Sequence, residues 1–190
     1  MLTASLCSCT PSYEAPIHLL LGSYSPADAE GIRLYDFDQQ TGRATMRCGL
    51  SGIANPSYLC QAGASTFLSV SETDDGRDAL HLFKIAEGTG GISMRLLSSQ
   101  PTLGKAPCYV NYHPASSQAF TANYNGGSLS AFRIDLSRNE IADPAMVTAT
   151  RSSPCNMPCA TASAAMAAQT SIYRPMAASS MPLIASRTTV

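Results

Sequence analysis

An all-β fold of repeated four-stranded meanders, an incomplete β-propeller, is predicted by three observations. The first is a long internal period: "IRLYDFDQQTG" from Ile32, "LHLFKIAEGTG" from Leu80 and "LSAFRIDLSRN" from Leu129 superpose with steps of 48 and 49 residues. The second is alternation inside each copy. Tyr35, Phe83 and Phe132 coincide, as do Phe37, Ile85 and Ile134, while Asp36, Lys84 and Arg133 take the polar slot between them; this is a period-two strand pattern with one face packed. The third is a second echo, "NPSYLCQAGASTFLSVSET" from Asn55 against "APCYVNYHPASSQAFTANY" from Ala106, at a step of 51 with a one-residue slip in the turn. A β-sandwich would not show so long a period, and a β-solenoid repeats at a shorter one.

Taken in order, residues 1–16 form an N-terminal lead, and residues 18–50 give the first sheet, opening on "IHLLLG". The second is the most complete: strands over Ser57 to Gln61, Thr66 to Glu72, Ala79 to Ala86 and Ile92 to Gln100, joined by "AGAS", "TDDGRD" and "EGTGG". Gly, Asp and Ser in those joins supply the positive φ angles and side-chain turn bonds that tight hairpins need. Residues 107–135 give the third sheet, so the partial propeller spans 17–143 and holds about two and a half to three blades.

Beyond that point the composition changes. The last Gly is Gly127 and the last acid is Asp143, whereas five of the eight Met follow position 144 in a mixture of Ala, Ser, Thr and Pro. Residues 144–190 keep no clean period of two or of 3.6, and read as a low-complexity tail, disordered or translated out of frame. One strand near "AMVTAT" is expected to complete the outer edge of the third sheet.

Composition bounds function. With 45% apolar residues and a net charge of -1, nothing is basic enough to bind nucleic acid. The apolar run "IHLLLG" is far shorter than the roughly 20 residues of a membrane span, and "MLTASLCSC" lacks the flank and length of a secretory signal, so a cytoplasmic setting is expected. Seven Cys at positions 7, 9, 48, 60, 108, 155 and 159 include no CxxC pair, which supports neither a disulfide framework nor a zinc site; Cys155 and Cys159 would need two further ligands. His18 opens a strand without an evident partner, His81 sits in a structural strand slot and His113 falls in a loop.

The segments "LLLGSYS…EGIRLYDFDQQTG", "NPSYL", "LSSQPTLGKAPCYV" and "ANYNGGSLSAFRID" resemble the seven-bladed lactonase propellers, the group named for 6-phosphogluconolactonase and related to fungal muconate cycloisomerases. The match runs from about Ile17 to Ile141, roughly the first third to two-fifths of a full propeller. The resemblance implies hydrolysis of a sugar-phosphate lactone, 6-phosphogluconolactone, in the pentose phosphate pathway, with no metal or organic cofactor.

In a meander running outward from the axis, the link into each blade and its second turn fall on one face, because antiparallel neighbours reverse direction. That face collects Asn55 and Lys105 from the links, and Ser23, Tyr24, Glu72, Asn123 and Tyr124 from strand ends. Lactone hydrolysis needs a base for water, donors for the oxyanion and a cation for the phosphate. Glu72 is the candidate base; Asn55, Lys105, Asn123, Tyr124 and Tyr24 are the candidate substrate ligands, with Lys105 facing the phosphate. Each also has a structural role to fill, since polar residues at strand ends commonly satisfy turn backbone, and "NGG" alone suffices for the hairpin after Asn123.

The chain departs from the family where later blades carry an Arg-containing segment and a Pro-His-Ala-His type motif; here stands "RSSPCNMPCATASA", and Tyr109 replaces a His common in the family. Seven blades at about 45 residues need roughly 315. The expectation is a truncated or frame-shifted lactonase, inactive alone. The alternative is a noncatalytic propeller fragment or interaction module that self-associates through open blade edges.

Overall fold

The computed structural model describes residues 17–144, 146–149 and 170–173, which form three antiparallel sheets. Blade 1 contains β1 (Ile17–Gly22), β2 (Ile32–Phe37) and β3 (Ala44–Leu50); blade 2 contains β4 (Leu59–Gln61), β5 (Thr66–Ser71), β6 (Ala79–Gly88) and β7 (Gly91–Pro101). Blade 3 contains β8 (Pro107–His113), β9 (Gln118–Asn123) and β10 (Ser128–Asp135). Its outer edge is shared by β11 (Glu140–Ile141) and β12 (Met146–Ala149), both paired with β10. The strand expected at "AMVTAT" is thus present, on the outer edge of the third sheet.

A second tail strand corrects the sequence reading. β13 (Thr170–Tyr173) pairs antiparallel with β1, from His18↔Tyr173 to Leu21↔Thr170, and gives blade 1 its fourth strand. Thr, Ile and Tyr favour strands, but four residues in an Ala-rich stretch show no alternation. The rest of the tail, the 1–16 lead and the Cys155/Cys159 pair lie outside the described residues.

Blades 1 and 2 share an irregularity at equivalent positions of the repeat. In blade 1 the register slips between Leu34 and Tyr35 against β3, and in blade 2 it slips between Leu82 and Phe83 against β7. These β-bulges sit one repeat apart, and each bends its outer hairpin in the same way. Phe83 and Phe132 are fully buried, whereas Tyr35 is half-buried. The cause is whether another blade packs on the face that all three share. Phe83 packs into the core between blades 1 and 2, with Leu20, Leu34, Ile53 and Phe67, and Phe132 packs into the core between blades 2 and 3, with Leu82, Val110 and Ala119. Tyr35 occupies the matching face of blade 1, on the side away from blade 2.

The alternation pattern also needs one correction. Blade 2 is packed on both faces, so β5 is buried at five consecutive positions, Phe67 to Ser71, while β9 in blade 3 alternates buried and half-buried residues. Phe67 and Leu68 enter different cores. A fully buried Leu or Phe contributes about 1.5–3 kcal/mol, so the two interblade cores dominate the stability of the assembly. Phe67 and Phe83 add a stacked ring pair, centroids 5.7 Å apart.

Turns follow local chemistry. Asp38 accepts the amides of Gln40 and Thr41, and Asp135, at the same position two repeats later in blade 3, accepts those of Ser137 and Arg138. Both carboxyls are held below their ordinary pKa, chiefly by the hydroxyls of Thr41 and Ser137. Between β6 and β7 the strands run on to Gly88 and Gly91, so "EGTGG" shortens to a two-residue turn, with Gly91 at φ 98°. His18 does have a partner: its Nδ1 lies 2.7 Å from Asp36, its cross-strand neighbour on β2, which also contacts Arg47. His113 ends β8, with Nδ1 2.9 Å from Ser116.

Candidate active site

The link from blade 1 into blade 2 builds the site. Asn55 adopts the left-handed conformation, φ 46°, which Asn tolerates better than most residues. Its N–H donates to the Ser25 carbonyl (2.8 Å), its carbonyl accepts the Glu72 N–H (3.1 Å), and its Nδ2 donates to the Glu72 carbonyl (3.0 Å). Ser71 closes the other side by donating its hydroxyl to Ala54 (2.7 Å). Asn55 therefore grips the backbone of Glu72.

Two hydroxyls converge on the carboxylate so held. Tyr24 donates to Glu72 Oε2 at 2.7 Å, and Ser57 donates to the same oxygen. Oε1 receives no hydrogen bond among the described residues. Burial and then the Glu72 acceptor push the Tyr24 phenol up to about 12, so it stays a donor at neutral pH. Cys108, at the start of β8, is also raised, by burial first and then by the negative charge of Glu72. Tyr24 from blade 1 and Ser57 from blade 2 thus share one oxygen of Glu72 at the junction of the two blades. Ser57 and Cys108 were not singled out in the sequence; the only signal was the position of Ser57 two residues after Asn55.

The other candidates are placed elsewhere. Asn123 is 2% exposed, and its Nδ2 donates to Ser128 (3.0 Å) and Ser130 (2.9 Å). The Ser130 hydroxyl continues to the Thr102 carbonyl. Beyond it, the amides of Tyr124 and Gly126 donate to the carbonyls of Ala106 (2.8 Å) and Lys105 (3.2 Å). The "NYNGG" hairpin therefore anchors the link from which Lys105 projects. Lys105 lies 3.8 Å from Asp74, with both side chains largely exposed, an arrangement worth at most about 1 kcal/mol. Tyr124 is 52% exposed.

Gly104 is interlocked with Asn123: a Cβ there would stand 2.1 Å from Asn123 Nδ2 and 2.6 Å from Ser128 Oγ. Gly104→Ala is expected to destabilise the chain by about 2 kcal/mol, the range for overpacking a filled site. Asn123→Ala in the same chain should recover part of that loss, because the two changes share one contact. Urea midpoints of the two single variants and the double variant check this; additive losses would refute the interlock.

An open cleft of ≈ 400 Å³ flanks the site between the turns at Ser25–Ala27 and Thr73–Arg77, floored by Asn55. Arg77 is not free there to clamp an anion. It bonds Asp75 through Nε (2.8 Å) and Nη2, and holds that carboxyl down at about 2.

The comparisons agree with this architecture. A family model described as lactonase, seven-bladed β-propeller, matches residues 18–162. A 6-phosphogluconolactonase of Bacillus subtilis is 25% identical over 114 residues, covering 60% of this chain and 32% of the relative. A crystal structure of a candidate 6-phosphogluconolactonase from Bacteroides fragilis superposes with TM-score 0.65 at 26% identity, over 75% of this chain and 39% of that one. Its counterpart from Bacteroides uniformis gives 0.62 at 31% identity, over 71% and 38%. The chain spans about a third of the length of the curated relatives it matches. With the family model covering most of its length and three antiparallel sheets in repeat order, the chain belongs to the lactonase family of seven-bladed β-propellers.

Proposed function

We propose that this chain carries one wall of a site that hydrolyses a sugar-phosphate lactone, 6-phosphogluconolactone by the names of its relatives, with Glu72 as general base. The observation that carries the reading is the asymmetry of the Glu72 carboxylate. Tyr24 and Ser57 fix Oε2, and Oε1 is left to take a proton from water. The water oxygen then adds to the lactone carbonyl, the ring C–O bond breaks, and the departing alkoxide takes up the proton to give the open hydroxy acid. In this reading Lys105 meets the phosphate at the rim, and the product enters the pentose phosphate pathway in the cytoplasm.

Base, oxyanion donors and phosphate clamp must converge within about 1 Å, since a misplacement of that size can cost roughly 10²-fold. The described residues supply a base and one exposed Lys, so the 190-residue chain alone is expected to open 6-phosphogluconolactone no faster than buffer, while still binding glucono-δ-lactam, a neutral analogue that does not hydrolyse. NMR can follow both. A rate above background that Glu72→Gln abolishes would show that this chain builds a working site by itself. Absence of lactam binding would overturn the lactone reading.

A further inference from the structure

We infer that a second copy of this chain covers the two apolar sheet faces left over at blades 1 and 3, joining two chains head to tail into a ring of six blades. The chain itself builds the required junction twice. At equivalent positions of the repeat, blade 1 presents Leu20, Ile32 and Leu34, and blade 2 presents Leu68, Leu80 and Leu82; all six are fully buried against the following blade. That blade meets them with Phe67, Phe83 and Ile85 in blade 2, and with Ala119, Phe132 and Ile134 in blade 3. Each junction therefore sets the forward face of one blade on the back face of the next.

One face of each kind has no partner blade among the described residues. On blade 3 the forward face holds Phe120, Leu129 and Ala131, and Phe120 pairs with Ala131 as Leu68 pairs with Leu82 in blade 2. These residues alternate with Ala119, Ser130 and Phe132 along β9 and β10, and Ala119 and Phe132 enter the junction with blade 2, so they stand on the opposite side of the sheet. Ala131 stays buried beside β12, but Phe120 is half-buried and Leu129 is 37% exposed, where its equivalent Leu80 is at 0%. On blade 1 the back face holds Leu19, Tyr35 and Phe37, all half-buried, with Met46 paired to Tyr35 and 42% exposed. The strand edges are not what is open, since β1 is paired with β2 and β13, and β9 with β8 and β10. Side-chain surface is left uncovered instead, and it is the surface that two other junctions bury.

A second copy supplies both missing faces at once. Blade 1 of one chain seats on blade 3 of the other, and the two-fold relation repeats the contact at the far end. A head-to-tail contact stays finite only when its rotation closes, and six blades fall within the four to eight that closed propellers use. A net charge of -1 sets little repulsion between copies.

Sedimentation equilibrium of the full 190-residue chain is expected to give twice the 19.9 kDa of one chain. Leu129→Glu and Met46→Lys, each at an exposed position, are expected to weaken association at least about tenfold, the loss for a residue central to an interface; circular dichroism checks that both still fold. Mixing the two variants tests the order of the faces. Either variant alone carries its defect in both junctions of the ring, whereas the mixed pair gathers both changes in one junction and leaves the other native. The mixture should therefore associate more tightly than either variant by itself. A single-chain mass at every concentration, as when blades of a different polypeptide cover these faces, would overturn the proposal. Masses growing beyond two chains would overturn closure, and a mixture no tighter than its components would overturn the head-to-tail order.

Discussion

Gly22→Ala separates blades 1 and 2, destabilising the chain by about 3 kcal/mol and lowering Tm by roughly 5–10 °C for a protein of this size. Gly22 ends β1, and a Cβ built on it would stand 2.1 Å from the Pro56 carbonyl oxygen and 3.3 Å from Leu59 Cγ. The obstacle is backbone, in a link already pinned by the amide of Asn55 on Ser25. Gly31 meets the same proline, its Cβ falling 2.7 Å from Pro56 Cγ and 2.9 Å from Cδ. The two glycines thus form the seat into which Asn55–Pro56 drops. The same seat sets Asn55 and Ser57 against Glu72, so the packing defect reaches the candidate base.

The prediction can be separated from the general cost of replacing glycine. Gly42 has φ 70° and nothing within 4 Å of a built Cβ. Gly42→Ala pays only for the left-handed backbone, about 1–2 kcal/mol, whereas Gly22 carries no such φ and pays only for space. Thermal and urea midpoints of the two variants decide between them. If Gly22→Ala proves no worse than Gly42→Ala, the Pro56 seat does not govern the junction.

What could be read from the sequence, and what could not, divides along the same physical line. Strand positions follow from side-chain alternation, a local property, and the recurrence of Tyr35, Phe83 and Phe132 marked equivalent strand positions in successive blades before any contact was known. Glu72 was legible because it ends a strand on the face where links and turns collect. Its partners were not, because cross-strand and interblade neighbours depend on register and on how blades seat. Ser57 read only as the first residue of a strand, and the pairing of His18 with Asp36 appears only once β1 and β2 are aligned. Asn123 shows the opposite case. Its type suited an oxyanion donor, but the repeat carries it into the floor of the hairpin, where Ser128 and Ser130 take its amide protons. β13 left no signature, since a short edge strand is recruited by the exposed backbone of β1.

Acid should weaken this fold before its carboxylates titrate, and His81 is the reason. The ring is 8% exposed on β6; Nδ1 lies 2.7 Å from Ser99 of β7, and Nε2 is buried without a hydrogen-bond partner. In the protonated ring both nitrogens carry N–H; Ser99 can accept from Nδ1, but the charged Nε2–H would be buried with no acceptor. Burial accordingly pushes the His81 pKa down from 6.5 to about 4. The unfolded chain takes up that proton near 6.5 while the folded chain resists it. Stability is therefore full above about pH 6.5, falls as the pH drops towards 4, and levels off below that, with a total loss of about 3 kcal/mol. Asp38, Asp75 and Asp135 have lowered pKa values, so their contributions persist to lower pH and fade only below about 4. His81→Gln keeps a polar partner for Ser99 but cannot titrate. Urea midpoints at pH 7 and pH 4.5 should move apart for the wild type and stay together for His81→Gln. An equal shift in both chains would mean that the acid response belongs to other groups.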